Sequence, residues 1–102
     1  MKSLEGAKMG INQNVKIFES QDWKNITATG DVSTANTHLL GFYVNSTTSG
    51  TLVLKNGGSG GTALGGTITP AIGFHPYPAK CPGGLHATIA NTLNVTFFFE
   101  NP

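Results

Sequence analysis

Three histidines and a single cysteine are the residues best suited to chemistry in this 102-residue chain: His38, His75, His86 and Cys81. Metal binding would use imidazole and thiolate, and the one close pair is Cys81 and His86, spaced C-x4-H through Pro82-Gly83-Gly84. A tetrahedral zinc site needs a second pair, and none follows. The reading is therefore a small apolar thiol and polar surface imidazoles, with no metal and no cofactor. General acid–base work would fall to Glu5, Glu19, Asp22, Asp31 or Glu100. None of these pairs with another in a recognisable motif. Asp22 and Asp31 as loop carboxylates could meet a calcium ion, but no D-x-D-x-D run supports them. Gly58-Ser59-Gly60 is shorter than a G-x-S-x-G nucleophile elbow. The glycine stretch Asn56 to Gly61 lacks the Lys-Ser/Thr and the following helix of a phosphate loop, so it reads as a hairpin tip. No residue is assigned a catalytic role, and the chain is expected not to be an enzyme.

Other side chains suit binding better than reaction. Trp23 and Tyr77 could stack on a sugar ring if both were exposed on one surface. The three N-x-T patterns, at Asn25, Asn45 and Asn94, read as by-products of strands rich in Thr and Asn. Glycosylation is not expected, because Met1 to Lys8 has no apolar run of a signal peptide.

These side chains must be positioned by strands. Two-residue alternation dominates, and helical spacing is absent over any useful length. Candidate strands are Asn14–Glu19, Trp23–Gly30, His38–Val44, Thr51–Lys55, Thr67–Thr69, Leu85–Ala90 and Leu93–Glu100. Asn45–Gly50 reads as a hairpin turn between two of them, and Asn56–Gly61 as another, with glycine supplying positive φ. The segment His75–Gly84 contains Pro76, Pro78 and Pro82. Proline lacks a ladder donor, so this segment must be a rigid edge or a crossing between sheets.

About seven or eight short antiparallel strands with frequent turns predict an all-β fold, a small β-sandwich of jelly-roll-like form. Residues 14–102 form that domain, and residues 1–13, without periodicity, read as a flexible N-terminal arm. Leu93, Val95, Phe97 and Phe99 should face the core, with Leu85, Ala87, Ile89, Leu40, Phe42, Val44, Leu52 and Leu54. Alternation leaves Phe18, Tyr43, Val53 and Phe98 on outer faces. Several apolar groups there suggest contact with another protein surface.

Composition excludes several partners. Charged residues make up 11% of the chain and the net charge is +1; the six basic residues are all lysine. Nucleic-acid binding relies on a basic patch with arginine, so DNA and RNA are not expected partners. No stretch approaches the roughly 18 apolar residues of a membrane span, so no membrane role is expected. One cysteine allows no disulfide within the chain.

The second half resembles small β-sandwich virion proteins of tailed bacteriophages. The residues that carry the resemblance are Leu39-Leu40-Gly41-Phe42-Tyr43-Val44-Asn45, Leu52-Val53-Leu54-Lys55-Asn56-Gly57 and Ile72-Gly73-Phe74-His75-Pro76-Tyr77-Pro78. Cys81-Pro82-Gly83-Gly84-Leu85-His86-Ala87-Thr88-Ile89 and Asn94-Val95-Thr96-Phe97-Phe98-Phe99 complete it. The likeness covers residues 38 to 100. It implies a capsid decoration (cement) protein on the surface of a virion, made in the host cytoplasm. Its partners would be the major capsid protein and copies of itself, a homotrimer by analogy. Phe18, Tyr43, Val53 and Phe98 would be subunit or capsid contacts. The alternative is a tail or fibre component that binds a receptor or carbohydrate through Trp23 and Tyr77.

Overall fold

A computed structural model describes residues 22–102. The predicted arm at 1–13, the candidate strand Asn14–Glu19 and Phe18 lie outside the described residues. Six strands follow in chain order: β1 (Asp22–Ile26), β2 (Gly30–Ser33), β3 (Thr37–Asn56), β4 (Thr62–Ala63), β5 (Gly73–Cys81) and β6 (Leu85–Glu100). No helix occurs among the described residues, and all strand pairings are antiparallel.

The 20-residue β3 and the 16-residue β6 form the centre of the sheet. They pair along their length, from His38 opposite Glu100 to Asn56 opposite Leu85. Each changes its outer neighbour midway. The first part of β3 runs beside β5, from Thr37 opposite Cys81 to Val44 opposite Gly73. The last part runs beside β4, and beyond it Leu52 and Ile68 exchange two backbone hydrogen bonds of 2.9 Å. On the far side of β6, β1 pairs with the C-terminal half and β2 with the N-terminal end.

A straight strand as long as β3 would span about 60 Å. Yet Thr37 lies opposite Cys81 and Asn56 opposite Leu85, and only Pro82, Gly83 and Gly84 separate those partners. The Gly84 amide donates to Cys81 O (3.0 Å), the Gly57 amide to Gly84 O (3.1 Å) and the Gly83 amide to Asn56 Oδ1 (2.9 Å). The two ends of β3 are thus drawn together, and the long pair must bend between them. Register shifts at Val44/Ser46 and Thr48/Ser49 mark the bend. Such bulges kink a strand and increase its twist. Ser49 (φ 53°) and Asn91 (φ 61°) take left-handed conformations there, and Asn91 Nδ2 donates to Ser49 O at 2.8 Å.

The predicted hairpin turn at Asn45–Gly50 is therefore not a turn. Its threonines are strand formers, and both flanks pair with the same strand, β6. The segment at Asn91-Thr92 likewise stays inside β6. The proline-rich segment is strand β5, and it obeys the edge rule, because among the described residues β5 pairs with β3 alone. The stretch Trp23–Gly30 is broken, with β1 ending at Ile26 and β2 starting at Gly30.

The core contains Leu39, Phe42, Val44, Leu52 and Leu54 from β3. From β6 it takes Leu85, Ala87, Leu93, Val95, Phe97 and Phe99, and Val32 and Cys81 complete it. The rings of Phe42 and Phe97 lie 5.7 Å apart between centroids. Alternation finds nearly all of these positions. Leu39 replaces Leu40 because a bulge between Leu39 and Gly41 shifts the phase of β3 by one residue.

Candidate interaction face

Four strands run side by side in the order β1–β6–β3–β5, and register fixes what their outer face carries. Trp23 of β1 lies opposite Phe98 of β6, and Phe98 lies opposite Gly41 of β3. Tyr43 lies opposite Thr96 on one side and Phe74 of β5 on the other. Trp23 is 65% exposed, Phe74 52% and Tyr43 42%, while Phe98 is half-buried. Phe74 and Phe98 sit 6.2 Å apart at 53°, although they belong to strands separated by β3. Gly41 makes this possible. A Cβ at Gly41 would fall 2.7 Å from Phe74 Cζ, so the Phe74 ring lies over bare backbone and reaches across. The result is an aromatic stripe across the sheet, with exposed Ile72 just before β5.

A polar strip adjoins it. The amides of Asn25 and Asn45 donate to Asn94 Oδ1 at 2.7 and 3.2 Å, and to Thr96 Oγ1 at 3.0 and 3.1 Å. The three asparagines of the N-x-T patterns thus meet on β1, β3 and β6. Spacing in the sequence gives no hint of this, because only strand order brings them together.

The predicted contact residues do not form one surface. Tyr43 and Phe98 share the aromatic face. Val53, half-buried opposite Thr88, belongs to the other half of β3, and Phe18 lies outside the described residues. Trp23 and Tyr77 are not brought together either. They sit on β1 and β5, with two strands between them. Tyr77 is partly buried and packs on the core, with its ring 6.2 Å from that of Phe42. Alternation along β5 explains this: His75, Tyr77, Ala79 and Cys81 point inward, and Phe74, Pro76, Pro78 and Lys80 point outward. Phe74, passed over among the contact candidates, could have been found from the same alternation.

The candidate chemical groups are dispersed. His75 Nε2 lies 2.8 Å from Ala71 O, and its ring stacks on Phe42 at 5.2 Å. His38 is opposite Lys80 and Glu100. Cys81 is buried in the core, and burial pushes its thiol pKa up. His86 is buried, with Nδ1 2.8 Å from Asp31 Oδ1; the carboxylate accepts, so Nδ1 carries the proton. Asp22 and Asp31 line one open hollow beside β1. Lys24 is in it as well, donating to Asp31 O at 3.0 Å. Among the described residues no three His, Cys, Asp or Glu side chains gather to hold a metal ion. No known protein family, curated protein or solved structure matches the chain.

Proposed function

We propose that this chain is a structural binding protein of a tailed-bacteriophage particle, a capsid decoration protein that reinforces junctions between capsid subunits. The observation that carries the reading is the aromatic stripe on a sheet face, with Trp23, Phe74 and Tyr43 exposed and Phe98 half-buried among them. Aromatic side chains supply large contact area at low entropic cost and dominate interface energetics. The resemblance of residues 38 to 100 to small virion proteins supplies the context. Repeated copies on a shell would multiply a modest contact by avidity.

The scaffold in this proposal is a jelly-roll-like β-sandwich. In this reading β3 and β6 bend at their bulges, so that β1–β6–β3–β5 would form one layer and β2–β6–β3–β4 the other. The meeting of the two ends of β3 supports that closure, as does a single core cluster drawn from both halves of β3 and β6.

Co-sedimentation of the full chain with capsids lacking it tests the function. Phe74→Ser and Trp23→Ser are exposed substitutions that should leave the circular dichroism spectrum unchanged. They should lower capsid occupancy about tenfold or more, as truncated aromatic anchors do. Undiminished occupancy by both variants would refute the role. A second reading, glycan binding on a tail or fibre, is favoured by the Asn25, Asn45 and Asn94 amides beside Trp23. Hits on a glycan array that vanish with Trp23→Ala would select it.

A further inference from the structure

Among the described residues the β1–β6–β3–β5 layer has two edges, and they differ in chemistry. β5 carries Pro76 and Pro78, which have no amide hydrogen to give, and exposed Lys80. Natural sheets use these residues to keep other strands away. β1, Asp22-Trp23-Lys24-Asn25-Ile26, has no proline and pairs with β6 alone among the described residues. Four of its five residues are exposed. It is the edge that chemistry leaves open.

We infer that β1 pairs antiparallel with β1 of a second copy of this chain, about a twofold axis at Trp23. Side-chain charge selects that register. With the axis at Trp23, each Asp22 faces Lys24 of the partner subunit, so two opposite-charge pairs flank a Trp23–Trp23 pair. Centring the axis on Lys24 would set lysine against lysine. Centring it between Trp23 and Lys24 would set Asp22 against asparagine and leave both charges unmatched. Directly opposite residues on one face are the units that stabilise antiparallel pairing, and both opposite-charge and aromatic pairs are favourable. A twofold contact is self-complementary, as this register requires.

The present partners of these groups are exchangeable. Asp22 Oδ1 accepts from the Trp23 amide at 2.9 Å and Lys24 Nζ donates to Asp31 O at 3.0 Å, both at exposed positions. Because Trp23 lies opposite Phe98, pairing would join the aromatic stripes of two copies into one continuous surface across the axis. The inference rests on reading this sheet as a contact surface, but not on the identity of the capsid partner. It also differs from the threefold assembly that the phage resemblance implies.

Sedimentation velocity of the purified full chain, with no capsid present, is the test. The expected result is a concentration-dependent equilibrium between one and two protomers. Asp22→Lys makes both flanking pairs repulsive and should weaken the dimer by about tenfold or more. The double variant Asp22→Lys/Lys24→Asp restores opposite charges across the axis and should restore the dimer. That rescue occurs only if positions 22 and 24 face each other between copies. A mass of three protomers, a monomer at every concentration, or a dimer indifferent to Asp22→Lys would each overturn the inference. Capsid occupancy is read separately, so the two proposals fail independently.

Discussion

Phe74 lies against the bare Cα of Gly41, one strand over, and this contact sets the shape of the aromatic face. A Cβ at Gly41 would come within 2.7 Å of Phe74 Cζ and within 2.7 Å of His75 O. The ring could swing away, but the backbone carbonyl cannot. Gly41→Ala is therefore expected to destabilise the fold by about 1–3 kcal/mol, the usual cost of forcing atoms into a packed site. Urea unfolding measures this against Gly66→Ala, where nothing lies within 4 Å of the added carbon. Equal stability of the two variants would mean that Phe74 is not seated on Gly41. Capsid binding should fall with Gly41→Ala as well, because the displaced ring no longer reaches Phe98.

Gly41 also shows where the sequence stops being legible. Alternation in Leu93-Asn94-Val95-Thr96-Phe97-Phe98-Phe99 assigns the buried face of β6 correctly, because no bulge falls within that run. In β3 the bulge beside Gly41 moves the core position from Leu40 to Leu39, and alternation cannot register an extra residue. The bend at Ser49 is harder still. A run of Ser, Thr and Gly reads as a turn, yet the chain keeps pairing through it, because Asn91 on the neighbouring strand holds Ser49 O. That support comes from 42 residues away and has no local signature. The candidate face suffers from the same blindness. Each of Trp23, Tyr43 and Phe98 can be read as outward-facing from its own strand. Only the order β1–β6–β3–β5 reveals that they adjoin Phe74 and exclude Val53, whereas Tyr77 is excluded by the alternation of β5 itself.

His86 and Asp31 make an unequal pair. The His86 side chain is 6% exposed, whereas the Asp31 side chain is 49% exposed. Nδ1 donates to the carboxylate, and Nε2 has no partner among the described residues. Asp31→Ala would leave both ring nitrogens unsatisfied, a loss of about 1–3 kcal/mol for a buried polar group. The lower end of that range is expected here, because water can reach the site Asp31 vacates. Adding His86→Leu in the Asp31→Ala background should recover much of the loss, since an apolar side chain has no hydrogen bonds to lose. A double-mutant cycle from urea curves measures the coupling. Simple additivity of the two substitutions would show that the pair contributes nothing.

Cys81 gives a prediction in pH. Its side chain is fully buried opposite Thr37, and desolvation disfavours the thiolate, so its pKa stands above the ordinary thiol value. The thiolate is the species that reacts. In the native protein, Cys81 should resist aromatic disulfide reagents near neutral pH and react at once in urea. The linkage sign follows from the raised value: the folded state holds this proton where the unfolded state has released it. The contribution is complete below the unfolded thiol pKa, about 8.5. It is lost as the pH rises from there through the higher native value. Cys81→Ala removes the titrating group, so its stability should fall less steeply over that alkaline range than that of the parent chain. Rapid labelling of folded protein at neutral pH, or identical alkaline slopes for the two chains, would place the thiol in contact with solvent and outside the core.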